Sequence, residues 1–150
     1  MSAKQIYYIV LAALAAVGTS VAQALGGWDA PLKMLVVMMG IDYITGVLCA
    51  AVWHNSPKTP TGAYDSRIGL KGLLRKGAIL LVVLISAELD DVMGTTITRT
   101  AVILFFIAND GFSIIENLGI MGVPFPDSLK RAFEVLRKQS NGEEKEMKKE

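Results

Sequence analysis

Residues 98–118, TRTAVILFFIANDGFSIIENL, constrain the chain more than any other stretch. The segment is long enough to cross a bilayer, since about 20 apolar residues at 1.5 Å each span the hydrocarbon core. Yet it carries Thr98, Arg99, Asn109, Asp110, Ser113, Glu116 and Asn117. At about 100° per residue these polar side chains share an arc of roughly 120° on one helix. Leu104, Ile107, Ala108, Ile114 and Ile115 take the other side. The expectation is a helix with one face for lipid or packing and one face for water or polar partners. Whatever the remaining chain does, it must supply a cover for that polar arc.

The other apolar residues also come in long blocks, which is why the hydrophobic share reaches 52%. The 150 residues suit one domain. A net charge of +1 points to no acidic or basic partner, nucleic acid included. One cysteine, Cys49, excludes an intrachain disulfide, and with one histidine, His54, too few ligands exist for a His/Cys metal cage. There is no Gly-rich phosphate loop and no Ser-His-Asp set. The expectation is therefore no enzyme, no cofactor and no metal.

Four hydrophobic helices are expected, at about 6–25, 32–53, 73–92 and 98–118, followed by a short C-terminal amphipathic helix. The fold class is an all-α integral membrane protein. Residues 1–138 form the membrane domain and 139–150 a charged tail. The first block is rich in small residues. Lys4, its apolar run and Ala22-Gln23-Ala24 have the look of a secretory signal peptide with an A-x-A site. A retained helix with close-packing faces such as Ala12/Ala16 and Gly18/Ala22 is the preferred reading.

The second block places Asp42 near its middle, with Thr45, Gly46 and Cys49 on the same side. A charge there costs roughly 2.5–3.5 kcal/mol on insertion scales, so that side should face protein, and packing on another helix is favoured over pore lining. Residues 54–76 read as a polar connection broken by Pro57, Pro60 and Gly62. The third block ends in Glu88, Asp90 and Asp91, candidates to pair with Arg99 across a short turn. Beyond Pro124 and Pro126, Leu129, Ala132, Phe133 and Leu136 recur at helical spacing. Lys130, Arg131, Arg137 and Lys138 suit an anionic membrane surface.

The central connection carries five Lys/Arg and the C-terminal region seven, whereas the turn between the third and fourth blocks offers Asp90 and Asp91. The positive-inside rule then puts connection and C-terminus in the cytoplasm, and four crossings put the N-terminus there too.

Several short stretches follow one another in a recognisable order: Asp42-Tyr43-Ile44-Thr45-Gly46, Gly69-Leu70-Lys71-Gly72, Arg75-Lys76, Glu88-Leu89-Asp90, Arg99, Asn109-Asp110, Ser113-Ile114, Glu116-Asn117 and Gly122-Val123-Pro124. Over residues 32–138 this series resembles the phage lysis and toxin-secretion holin family, including the clostridial toxin-export holins. Asp110 stands where the family pattern carries glutamate. The resemblance implies a small bacterial inner-membrane protein that assembles with itself into holes for an endolysin or a large toxin. The polar face Arg99, Asn109, Asp110, Ser113, Glu116 and Asn117 would line such a hole or join helices. Asp42, Thr45, Gly46, Glu88, Asp90 and Asp91 would pack or pair inside the membrane. The alternative is a small ion or solute channel or transporter using the intramembrane acids Asp42, Asp110 and Glu116.

Overall fold

The computed structural model describes residues 1–58, 60–63 and 65–147, and Lys148–Glu150, the end of the expected tail, lie outside them. Among the described residues five helices and no strand are present: α1 Ala3–Ala24, α2 Ala30–Ala51, α3 Ser66–Met93, α4 Ile97–Ile120 and α5 Asp127–Met147. Helices α1, α2 and α4 are long and apolar enough to cross a membrane. Four were expected at that standard, and α3 is not among them. Its central run, Gly77–Ala87, is apolar, but its flanks are charged.

Helix α4 is the centre of the molecule, packed against α2, α3 and α5, while α2 and α3 touch one another little. Leu32, Leu35 and Met38 of α2, Ile79 and Val83 of α3, and Ile103, Ile107 and Ile114 of α4 form the core. Of the two uses expected for the apolar face of α4, lipid or packing, it takes packing over most of its length, and polar side chains are buried with it. Ile103, Ile107, Ala108, Gly111 and Ile114 are buried together with Asp110 and Asn117. Of its large apolar side chains, Ile97 and Phe105 are the ones that face outward.

Two helices run longer than polarity suggested. Helix α3 begins at Ser66, within the expected connection, because Asp65 caps it by accepting from the Arg67 N–H at 2.8 Å. A helix needs a cap and a free run without proline, and it does not need to be apolar from its first turn. Helix α5 continues to Met147 through most of the stretch read as a tail, since Glu, Lys and Met are strong helix formers.

Helix α1 touches α3 lightly and buries none of its residues. It starts on a capping box, in which the Ser2 hydroxyl accepts from the Gln5 N–H and Gln5 reaches back to the Ser2 N–H at 2.8 Å. Ile6, Tyr7, Leu14, Val17 and Val21 all face outward. Such an apolar cylinder is stable in lipid and unstable in water.

Candidate functional site

Two groups of charged side chains lie inside the bundle, one toward each end of α4. The first joins three helices. Lys76 of α3 places its ammonium 2.6 Å from Asp42 Oδ2 on α2 and 2.7 Å from Asp110 Oδ1 on α4. All three side chains are nearly enclosed, with 11%, 8% and 2% of their surface left. Lys58 reaches in from the α2–α3 connection, 3.5 Å from Asp42 Oδ1, and donates to Ser113 Oγ at 3.1 Å. Its side chain is 46% exposed, so its charge is partly screened from outside. Asp42 Oδ1 and Asp110 Oδ2 receive no hydrogen bond. Two buried carboxylates thus share one buried ammonium; of the remaining oxygens, Asp42 Oδ1 has the longer ion pair to Lys58 and Asp110 Oδ2 has no hydrogen-bond partner among the described residues.

A seam of small polar contacts continues the cluster along α2 and α4. The Asn117 amide donates to Thr45 Oγ1 at 3.0 Å, and the Cys49 thiol donates to the Asn117 carbonyl at 3.2 Å. Thr45 turns its own proton back to the Ile41 carbonyl, 2.9 Å away. Gly46 lies beside the same seam, where a Cβ would meet the Asn117 amide nitrogen at an ordinary contact distance of 3.7 Å. A cavity of about 750 Å³ opens beside the cluster and is lined by Asp42, Lys58, Arg75, Asn109, Asp110 and Glu116 among others.

The second group closes the other end. The Arg99 guanidinium makes two bonds to Asp29, at 2.7 and 3.1 Å, and donates to the carbonyls of Leu25 and Gly27 at 2.6 and 3.1 Å. It ties the start of α4 to the α1–α2 turn. Gly26 is required in that turn: its φ is +86°, and a Cβ would lie 2.5 Å from Arg99 Nε. Asp90 accepts from the Thr98 and Arg99 backbone N–H groups at 3.0 and 2.8 Å and from the Thr95 hydroxyl at 2.7 Å. It thereby caps α4 from α3, where Thr96 makes no side-chain cap of its own.

The expected pairing of Arg99 with Asp90, Asp91 or Glu88 is thus corrected. Asp90 takes the Arg99 backbone, Asp29 takes its side chain, and Glu88 and Asp91 face outward. Once Asp90 is occupied by three donors at the helix start, Asp29 offers Arg99 the remaining carboxylate within reach. Of the expected polar face, Arg99 lies at one end and Asp110, Ser113 and Asn117 at the other, while Asn109 and Glu116 face the cavity side, exposed. Lys58, Lys76 and Asp29 were missed. The unused signal was charge balance: a buried aspartate near mid-helix demands a cation, and Lys76 directly precedes the apolar run 77–87 of the third block.

Asp29 also gives a pH prediction. The Arg99 hydrogen bonds hold its carboxyl below the ordinary carboxylate range; burial opposes them, and the Leu32 N–H adds a smaller lowering effect. A depressed folded value stabilises the turn fully above the unfolded pKa of about 4 and loses that stabilisation as pH falls through the lower folded value. Stability of the α1–α2 turn should be flat from pH 7 to about 5 and drop below about 4. A titration of thermal midpoints checks this, with Asp29→Asn as the control in which this contribution to the acid loss is absent.

Among the described residues no group of three or more His, Cys, Asp or Glu side chains is placed to hold a metal ion. The fold and the cluster define a class: an all-helical, membrane-type protein whose apolar bundle encloses an acid–base–acid cluster. Residues 19–138 match the bacteriophage holin family, and the chain belongs to that family. It is 38% identical over 125 residues to an uncharacterized 14.9 kDa protein in the nagH 3′ region of Clostridium perfringens, covering 82% of this chain and 89% of that one. It is 33% identical over 111 residues to a probable holin of Bacillus phage phi105, covering 73% and 76%. A Bacillus subtilis protein, YqxH, is 34% identical over 109 residues, covering 72% of each. No solved structure matches the chain.

Proposed function

We propose that this holin permeabilises the bacterial cytoplasmic membrane by assembling with copies of itself, so that an endolysin or a large toxin crosses. The enclosed cluster carries the reading. Polar side chains of α4 are buried against charges from α2 and α3, in a bundle whose outer surface is largely apolar. Such a polar face tolerates two covers, neighbouring helices or water. In the compact chain helices cover it. In an assembly the same face lines a water-filled hole, where the unsatisfied oxygens of Asp42 and Asp110 become hydrated. The reading is non-enzymatic. It has α3 crossing the membrane beside α1, α2 and α4, with Lys71 and Arg75 snorkelling to one surface, and puts both termini in the cytoplasm.

Replacing Asp110 and Asn117 together with leucine should abolish release of a folded periplasm-directed reporter in cells while leaving membrane insertion unchanged. Unaltered release from that variant would remove the α4 face from the mechanism. Ion-selective current without protein release would instead favour a small channel.

A further inference from the structure

The position of α5 sets a limit on how deep α4 sits in a bilayer. Helix α5 folds back over α4, with Phe133 buried against Gly111, where a Cβ would lie 2.7 Å from the ring. Phe125 stacks on Phe133 with centroids 6.5 Å apart, and the Arg137 guanidinium stands 5.9 Å from the Phe112 ring. Gly111 and Phe112 lie about 12–14 Å from the Ile120 end of α4 at 1.5 Å per residue. A crossing of about 30 Å that starts at Ile97 takes some 20 residues, to about Glu116. Gly111 then lies roughly 8 Å inside the hydrocarbon. Phe133 could follow it there. Arg137, with Arg131 and Lys138 on the same helix, could not without a large cost.

A docked α5 and a full-depth α4 therefore exclude each other. Docked, the bundle sits shallow, and the Lys76 cluster, about 17 Å along α4 from Arg99, lies near the membrane surface. Seated at full depth, α4 must shed α5. The shed helix has a place to go: Lys130, Arg131, Arg137 and Lys138 all face outward, and Phe133 and Leu136 supply the apolar side that interfacial helices bury. The same two apolar side chains cannot serve both positions at once.

We propose that α5 is a removable cover on α4 whose second resting place is an anionic lipid surface. Its departure bares the Gly111 side of α4 and lets that helix take its full depth. This deepens the hole-forming reading by naming what holds the compact state, and its first test does not depend on that reading.

In a Cys49→Ala background, Gly111→Cys with Phe133→Cys puts two thiols at the contact. The protein is reconstituted in phosphatidylcholine vesicles and in vesicles with about 30 mol% phosphatidylglycerol, and the rate of disulfide formation is followed. The pair should link readily in phosphatidylcholine. The anionic lipid should slow linking by about five-fold or more, and high salt or glutamine at the four basic positions should cancel the effect. Failure to link in phosphatidylcholine would overturn the docking. Linking at one rate in both lipids would overturn the anionic resting place.

A second arm reads release of a folded reporter from anionic vesicles. The linked form should release at least about ten-fold less than its reduced form, since covalent docking bars the full-depth state. Equal release would overturn the cover. Absence of release from both forms counts against hole formation and leaves the linking rates to decide the fate of α5.

Discussion

Replacing Lys76 with methionine is expected to lower the stability of the bundle by about 3–5 kcal/mol, the usual consequence of removing one partner from a buried ionic group. The substitution keeps length and apolar volume, so packing of the stem is preserved and only the ammonium is lost. Asp42 and Asp110 would then face one another with no enclosed counter-charge, since Lys58 is half exposed and, of the two carboxylates, pairs with Asp42. The measurement is the thermal midpoint in a mild detergent. Adding Asp42→Asn and Asp110→Asn to the same chain should restore most of the loss, because no buried charge then remains to be neutralised. A Lys76→Met chain as stable as the parent would show that the two carboxylates do not depend on this lysine.

Replacing Arg99 with methionine should cost about 2 kcal/mol, within the range for hydrogen bonds to charged groups and reduced because Asp29 is 42% exposed. Four hydrogen bonds end on this guanidinium, and two of them satisfy the Leu25 and Gly27 carbonyls of the α1–α2 turn. The loss should be local. Hydrogen exchange should rise by about thirty-fold at the α1–α2 turn and the first turn of α2, while the amides around Lys76 stay protected. Lysine at this position should not restore protection, because a point charge on a flexible stem does not reproduce a fork that meets three acceptor groups. Equal protection in both variants would mean that α1 is held to the bundle by something other than Arg99.

These two positions differ in how far the sequence exposed them. Arg99 stood out as a cation at the edge of an apolar segment, and its need for an acid was plain, but the acid chosen was wrong. Asp90 is nearer along the chain, yet the backbone N–H groups at the α4 start compete for it and win. Lys76 was set aside among the cations of a polar connection. Its role emerged only when α3 proved to begin about seven residues before the expected start, at Ser66, which places Lys76 well inside a helix. Asp42, Thr45, Gly46 and Cys49 were correctly grouped on one side of α2, because positions at i, i+3, i+4 and i+7 share a face whatever lies opposite. The same periodicity grouped the α4 polar side chains and found the apolar spacing of α5.

The amino-acid sequence by itself determined the helical class, the bilayer-length apolar segments, the side of each helix that carries polar groups and the family. These are local properties, set by composition and a period of 3.6 residues. Only the tertiary structure decided which charges meet. Pairing across helices depends on relative depth and rotation, and a rise of 1.5 Å per residue moves a side chain out of hydrogen-bond reach within two residues. It also decided that α5 lies on α4, since an apolar stripe specifies that it must be buried without specifying against what. Residues 98–118 needed a cover. The fold supplies Lys76 with Asp42 for one end of the polar face, Asp29 for the other, and α5 as packing for the side expected to meet either lipid or protein.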